Sequence, residues 1–137
     1  LTDAAFDELL GEELARRGYA IAAHGQGQWN GVAILSRAGL DDVVTGLAGA
    51  PDWDVPEARA VAATCGGIRV HSLYVPNGRT PDSDHYRYKL AWLSALRDVV
   101  AAGRDDAILC GDMNIAPADA DVFDPDAYIG HTHVTPS

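Results

Sequence analysis

Two adjacent glycines, Gly66 and Gly67, separate two apolar runs and constrain the fold of this chain more than any other feature. The runs are ARAVAATC at 58–65 and IRVHSLYV at 68–75, and both are rich in apolar and β-branched residues. A two-residue glycine connection is the signal for a tight turn between antiparallel strands. The sequence therefore predicts a β-hairpin, and the fold must include an antiparallel sheet.

Other segments carry helix and strand signals. Thr2 can cap a helix with apolar side chains at helical spacing that ends at Gly18, and we expect its apolar face to lie on a core. Ser83 can cap a longer amphipathic helix that ends at Gly103. We expect this second helix to bury the face that carries Tyr86, Leu90, Leu93, Leu96 or Arg97, and Val100. Further strands are predicted at 19–24, 31–37, 40–47 and 106–110, the last of them buried.

The predicted fold class is α/β (α+β), with mostly antiparallel strands in a single domain fragment. A chain of 137 residues that is 47% hydrophobic is long enough for one core. It begins at Leu1 rather than at a methionine, and it ends in the polar stretch HTHVTPS with no closing element. We therefore interpret both ends as cuts.

Composition and charge exclude several classes of protein. No apolar run approaches the roughly 18 residues that a membrane span needs, and the N-terminal segment carries acids where a signal peptide carries basic residues. Two cysteines, Cys65 and Cys110, cannot make a disulfide framework, which favours a reducing, cytoplasmic location. The formal net charge of −10 argues against sequence-independent adhesion to nucleic acid, although a local cation or a bound metal still permits a nuclease.

The stretch ILCGDMNIAP, 108–117, ends an apolar strand on an acid and an amide. A carboxylate just past the end of a strand is held rigidly and faces a cleft, where catalytic groups are commonly placed. If the backbone stays extended, Asn114 points the same way as Asp112 and the pair can hold a water or a phosphate oxygen. The alternative is that the two residues only form an Asx-turn that ends the strand.

Four segments together resemble a known family. They are GDMNIAP, YVPNG, WNGVAILSR and the helical segment YRYKLAWLSALRDVV. Their types and order resemble the exodeoxyribonuclease III branch of the endonuclease/exonuclease/phosphatase superfamily over nearly the whole chain. The resemblance implies that residues 1–137 are a partial domain of a two-sheet, four-layer α/β sandwich.

The function implied by the resemblance is hydrolysis of DNA phosphodiesters in DNA repair, with Mg²⁺, or Mn²⁺ in its place, as cofactor. High usage of Ala, Gly, Asp and Arg suits a GC-rich bacterial source. The expected activities are 3′–5′ exonuclease action on duplex DNA, removal of 3′-phosphates and incision at abasic sites. The expected partner is duplex DNA with abasic sites or 3′ ends, with no membrane and no obligate protein partner.

Catalytic roles also follow from the resemblance. Asp112 resembles the aspartate that orients or deprotonates the attacking water, and Asn114 the amide that fixes this water and the scissile phosphate. Tyr74 resembles the tyrosine whose hydroxyl lies at the phosphate. An aligned nucleophile and donors toward the non-bridging oxygens are what in-line attack on a phosphodiester requires.

Metal ligands are where the chain departs from the family pattern. The family's metal-binding glutamate precedes the first helix, and a C-terminal aspartate and histidine follow later, so all three fall outside this chain. We assign no metal ligand within it and expect the chain alone to bind Mg²⁺ poorly and to have little activity. His131 and His133 form an H-x-H pair of ligand types, but histidines in a loop tail are more often solvated.

Candidate substrate contacts are Lys89, Arg87, Trp29 and Asn30. Arg87 and Lys89, together with Arg79, can form a strip that meets the DNA backbone, or they can belong to an ordinary solvated face. Trp29 and Asn30 can project toward substrate or simply end a hairpin.

Arg59, which follows Glu57, is as well explained by a structural ion pair as by a phosphate contact.

Two other functions remain open. Related sandwiches act on phosphoinositides or sphingolipids, so a phosphatase or phospholipase is one alternative. A non-catalytic fragment that kept the fold is the other.

Overall fold

The computed structural model describes residues 2–27, 29–103 and 106–134. The helices are α1 (Asp3–Phe6), α2 (Glu12–Arg16) and α3 (Asp84–Ala102). The strands are β1 (Ala20–Gln26), β2 (Asn30–Ser36), β3 (Asp41–Thr45), β4 (Ala60–Cys65), β5 (Ile68–Tyr74) and β6 (Ala107–Asp112). A π-helical turn, Asp7–Gly11, joins α1 to α2, and two short 3₁₀ turns, Asp119–Asp121 and Pro125–Tyr128, follow β6.

The strands form two sheets. β1 and β2 make an antiparallel pair, and the second sheet has the order β3-β4-β5-β6. The hairpin between β4 and β5 has Cys65 opposite Ile68 and both turn glycines at positive φ, 58° and 88°. This geometry suits a type I′ turn, whose twist matches that of the flanking strands. The predicted hairpin and the predicted mixed α/β class are confirmed, and β5 and β6 are the one parallel pair of described strands.

The core has two parts that share β4. On one face of the second sheet, Ala60 packs with Leu73 and Trp92, beneath α3. On the other face, Val61 packs against Ile34 of the first sheet. Because successive side chains of a strand point to opposite faces, β4 can serve both parts, and every residue from Ala60 to Ala63 is buried. With α1 in contact with β1, the chain is layered as helix, sheet, sheet and helix.

The N-terminal helical segment begins where predicted. The Thr2 hydroxyl accepts a hydrogen bond of 3.2 Å from the Ala5 backbone N–H, and Gly18 follows the last turn at a φ of 76°. The expectation that its apolar face lies on a core is wrong for Leu9 and Leu10, which are 66% and 43% exposed. Helical spacing identifies an apolar stripe but does not show that a partner surface covers it.

Helix α3 has the predicted ends and, as predicted, packs Leu93 and Leu96 against the core, but its buried face is rotated away from Leu90 and Val100. Ser83 caps it by accepting from the Tyr86 N–H at 3.1 Å, and Gly103 ends it. Leu90 and Val100, placed on the core by the sequence pattern, are 46% and 37% exposed. The buried face carries Tyr88, Lys89, Trp92, Ala95 and Leu96. The predicted and the observed buried residues both repeat at helical spacing. Contact with β4 and β5 determines that the side of the helix with the two large aromatic rings, Tyr88 and Trp92, is the buried one.

Strand β6 is less buried than predicted. It pairs with β5 and, within the described part of the chain, with no other strand. Leu109 packs toward α3, whereas Ile108 is half exposed and Cys110 is exposed. The apolar run at 107–110 therefore covers one face of an edge strand.

No helix among the described residues is long and apolar enough to cross a membrane.

The choice of helix face can be measured. Trp92→Ala should lower the free energy of unfolding by about 3–5 kcal/mol, because Trp92 is 2% exposed and its removal leaves a cavity beneath α3. Leu90→Ala, two residues away, should change it by less than about 1 kcal/mol. Urea unfolding followed by circular dichroism checks both variants. Equal losses would contradict the observed orientation of α3.

Candidate active site

The candidate site lies where the two parallel strands end together. Tyr74 of β5 is directly paired with Asp112 of β6, and the Val75 N–H donates to the Asp112 carbonyl oxygen at 2.9 Å. Parallel strands bring their carboxyl ends to one edge of the sheet, so the two residues that the resemblance singled out meet there. Asp112 is exposed and Tyr74 is half-buried.

Gly111 permits this close approach. Its φ is 131°, and a Cβ atom there would lie 1.9 Å from the Leu73 carbonyl oxygen. No side chain fits without moving β6 away from β5, because the obstacle is backbone rather than the end of a flexible side chain. The glycine that precedes the aspartate in GDMN is thus a steric requirement of the strand pair.

Asn114 follows in a left-handed conformation with a φ of 48°. Its N–H donates to Oδ1 of Asp112 at 2.9 Å, which is an Asx-turn. The extended backbone assumed in the sequence argument is therefore not present. The turn and the site are not alternatives, since the turn itself holds the Asn114 backbone against the Asp112 carboxylate.

Three side chains form a cluster beside Asp112, here called the amide–imidazole cluster and composed of Asn77, Asn114 and His133. Nδ2 of Asn77 lies 3.3 Å from Oδ1 of Asn114 and 3.2 Å from Nε2 of His133. Nε2 of His133 lies 3.3 Å from the same Asn114 oxygen. Asn114 also donates from Nδ2 to the Val75 carbonyl oxygen at 2.8 Å, so both ends of its amide are held.

The His133 side chain is partly buried rather than solvated. Its Nδ1 is buried without a hydrogen-bond partner in the described structure. Burial lowers the pKa of His133, and the charges of Lys89 and His131 lower it further against the opposing charge of Asp112. The lowered pKa favours the neutral ring, and the tautomer of that ring decides whether Nε2 donates to Asn114 or accepts from Asn77.

Sequence reasoning missed Asn77 and His133 as members of the site. Asn77 lies in the segment YVPNG but is not among the predicted site residues, and His133 enters the sequence analysis only as half of an H-x-H pair. The contact between them spans 56 residues of chain, and no local pattern signals a contact of that range.

Tyr74 is flanked by a largely buried ion pair. The guanidinium carbon of Arg59 lies 4.7 Å from the centre of the Tyr74 ring, and Nη1 of Arg59 donates to the Tyr74 carbonyl oxygen at 3.2 Å. Nε of Arg59 pairs with Glu57 at 2.6 Å, with side chains only 12% and 18% exposed. The structural ion pair considered for Arg59 is thus present, and it places a cation against the tyrosine ring.

The ion pair also affects the pKa values of Glu57 and Tyr88. Burial acts to raise the pKa of Glu57, but hydrogen bonding and charge from Arg59 outweigh it and the pKa is lowered. Tyr88, which hydrogen-bonds Glu57 and stacks on Trp53 at 4.5 Å, has its pKa raised to about 12 by burial and by the charge of Glu57. Glu57 therefore stays ionised and Tyr88 protonated at neutral pH.

A cleft of about 420 Å³ opens beside Tyr74. Its lining includes Trp29 and Asn30 from the β1–β2 hairpin, with Arg59 and Arg79. Trp29 is 79% exposed, and Asn30 faces Gln26 at the hairpin end and approaches Glu57 at 3.4 Å. These two predicted substrate residues lie at the site and also end a hairpin.

The predicted strip of cations is not formed. Lys89 is 1% exposed and donates to backbone carbonyl oxygens, so its ammonium is not available to a phosphate. Arg87 is exposed on α3, paired with Asp84 at 2.5 Å, and does not line the cleft. Only Arg79 of the three lies on the cleft wall. Arg87 and Lys89 are two residues apart and therefore lie on opposite sides of α3, and the sequence did not distinguish its exposed side from its buried side.

The described residues do not make a metal site of their own. No three histidine, cysteine or acidic side chains among them lie close enough to hold a metal ion. Mg²⁺ prefers six oxygen ligands, whereas Glu57 is bonded to Arg59 and Asp112 is the one acid that the described residues place at this edge.

Fold and site together define a two-sheet α/β sandwich with an acid, a phenol and an amide at one edge. The chain belongs to the endonuclease/exonuclease/phosphatase family, whose model matches residues 1–136. An AP endonuclease from Archaeoglobus fulgidus is similar over 99% of this chain and 52% of its own, with 35% identity and a TM-score of 0.85.

Two Neisseria structures are also similar. The 3′-5′ exonuclease NExo from Neisseria meningitidis has 41% identity and a TM-score of 0.77, over 88% of this chain and 48% of its own. NExo described as a 3′ phosphatase bound to a product DNA hairpin has 40% identity and a TM-score of 0.75, over 85% and 46%. The predicted family is confirmed, and this chain spans about half the length of these relatives.

The role of Gly111 leads to a stability prediction. Gly111→Ala should lower the free energy of unfolding by more than about 3 kcal/mol, since it combines a backbone clash with a positive φ. Gly39→Ala is the matched control, because Gly39 has a φ of 84° but open space around it, and should cost about 1–2 kcal/mol. Denaturant unfolding separates the two, and similar losses would show that strand contact at Gly111 is unimportant.

Proposed function

We propose that this chain is part of an Mg²⁺-dependent enzyme that hydrolyses DNA phosphodiesters, removing nucleotides or phosphate from 3′ ends and incising at abasic sites. The observation that carries the proposal is the meeting of Tyr74, Asp112 and Asn114 at one exposed strand edge. Similar structures described as an AP endonuclease and a 3′-5′ exonuclease support it. DNA repair in a bacterial cytoplasm is the proposed setting.

The chemistry assigns each side chain a separate task. One oxygen of Asp112 accepts the Asn114 N–H, which leaves the other to orient and deprotonate the attacking water. Nδ2 of Asn114 uses one hydrogen on the Val75 carbonyl oxygen, so the second can be directed at a non-bridging phosphate oxygen. The Tyr74 hydroxyl is the proposed donor on the opposite side of the phosphate.

Binding of a polyanion by a chain with net charge −10 needs a local positive field. Arg79 on the cleft wall supplies it, next to the exposed ring of Trp29 and the amide of Asn30, whereas the charge of Arg59 beneath Tyr74 is largely balanced by Glu57. Arg87 is proposed as a peripheral contact to the DNA backbone. In this proposal Lys89 makes no direct contact with DNA.

Mg²⁺ is proposed as the ion that balances charge developing on the phosphoryl and leaving oxygens in the active enzyme. The described residues do not form a site for it, so further ligands are required beyond those identified in this chain.

Cleavage assays test the function. The substrates are an abasic-site duplex and a hairpin with a 3′-phosphate, each with Mg²⁺, and the enzymes are this chain and any longer product of the same gene. Asp112→Asn should lower the rate about 10²–10⁴-fold, the range expected for loss of a general base. Asp98→Asn, which removes an exposed acid from α3, is the control and should leave the rate unchanged.

Either of two results would overturn the proposal. Cleavage of phosphoinositides or sphingolipids without cleavage of DNA would favour the phosphatase or phospholipase alternative. A folded longer product of the same gene with no hydrolytic activity on any of these substrates would favour the non-catalytic one.

Metal binding by the chain is a separate measurement. Isothermal titration of the 137-residue chain with Mg²⁺ should show binding in the millimolar range or weaker, because one acid at the site is too few. Tight saturable binding, or rapid Mg²⁺-dependent cleavage by this chain, would show that it contains ligands the geometry does not reveal.

A further inference from the structure

Lys89 is the only lysine of the chain and it is buried. It lies on α3 with 1% of its surface exposed. Lysine is almost never fully buried unless its ammonium is satisfied, so the groups around it require explanation.

The partners of the ammonium are backbone carbonyl oxygens. Nζ donates to Thr132 at 2.6 Å and to Asn114 at 2.7 Å, with a longer contact to Asn77 at 3.4 Å. An ammonium has three N–H donors, which matches three acceptors. Burial lowers the pKa of Lys89, and the charge of Asp112 partly offsets this effect.

The three carbonyls belong to three separate segments, and each segment supplies one member of the amide–imidazole cluster. Asn77 and Asn114 are themselves members, and Thr132 immediately precedes His133. Lys89 thus holds the backbones of the same segments whose side chains contact one another.

Two further contacts tie the segments together around Lys89. The Thr132 hydroxyl donates to the Asn77 carbonyl oxygen at 2.6 Å, and a Cβ atom on Gly78 would lie 2.9 Å from Cδ of Lys89. The aliphatic part of the Lys89 side chain is therefore closely packed, as its ammonium group is.

We propose that Lys89 is a positioning residue that assembles the amide–imidazole cluster and so sets the orientation of Asn114. Its effect on catalysis rests on the proposed function, whereas its effect on the cluster does not. Burying an ammonium that has no bonded carboxylate costs free energy. If the three carbonyl oxygens had other donors, an apolar side chain at this position would stabilise the fold more than a lysine does. Lys89 is therefore required because it donates to these three carbonyl oxygens.

The first experiment uses nuclear magnetic resonance on the intact chain. Lys89→Met keeps the length of the side chain and removes its donors. We expect the side-chain amide signals of Asn77 and Asn114 to lose their distinct folded positions. The pKa of His133 should rise, because the ammonium is one of the charges that lower it and the cluster no longer buries the ring.

Two other variants distinguish the effect of the charge and hydrogen bonds of Lys89 from a general loss of stability of the chain. Lys89→Arg keeps the charge, so it should restore the low pKa of His133 and part of the amide signals. Arg97→Met removes an exposed cation from the same helix and should change neither. An unchanged cluster in folded Lys89→Met would overturn the proposal.

A measurement on the unaltered chain covers the case in which Lys89→Met does not fold. With ¹⁵N-lysine as the label, the single ammonium should give a signal protected from hydrogen exchange. Reductive methylation should modify the N-terminal amine but not Lys89 until the chain is unfolded. Methylation of Lys89 at the rate of free lysine would also overturn the proposal.

The catalytic consequence is measured where DNA cleavage is established. Lys89→Met should lower kcat on the order of 10–100-fold with little change in KM, because it misplaces a transition-state donor rather than a DNA contact. If the cluster changes in Lys89→Met but no form of the protein cleaves DNA, the proposed function fails and the positioning role stands. If cleavage is robust and insensitive to folded Lys89→Met, the positioning role fails and the function stands.

Discussion

The close parallel pairing of β6 with β5 is the constraint on which the site depends. At Gly111 the backbone of β6 lies so near the Leu73 carbonyl that no side chain can be accommodated. This contact brings Asp112 beside Tyr74, and the Asx-turn that follows places Asn114 at the same edge. One strand ladder thus determines where the acid, the phenol and the amide lie, and the rest of the fold supports that ladder through α3 and β4.

Cations in this acidic chain serve two different purposes at the site. Arg59 is paired with Glu57 and lies against the Tyr74 ring, where its charge remains close to the cleft. Lys89 is buried, and its ammonium is satisfied by backbone carbonyl oxygens. Because a net charge of −10 disfavours a polyanion, the local placement of these cations matters more than their number.

The prediction of α3 illustrates what periodicity can and cannot decide. Capping by Ser83 and termination before Gly103 follow from local chemistry, and the structure has both. Two stripes of the helix, one through Leu90 and one through Trp92, have equivalent spacing, and only the second is buried. The sequence likewise placed Lys89 on an exposed strip of cations, whereas the structure buries it. The position of a residue in the helical repeat does not show which face of the helix meets the core.

By itself the sequence determined the glycine hairpin, the helix caps, the mixed α/β class and the family, along with Tyr74, Asp112 and Asn114 as candidates. These depend on short-range turn and capping chemistry and on motifs that occupy a few consecutive positions. Only the tertiary structure decided which helix face is buried, the left-handed turn at Asn114 and the membership of Asn77 and His133 in the cluster. The contact of Asn77 with His133 joins residues 56 positions apart, and such contacts depend on how the sheets and α3 pack rather than on any local pattern.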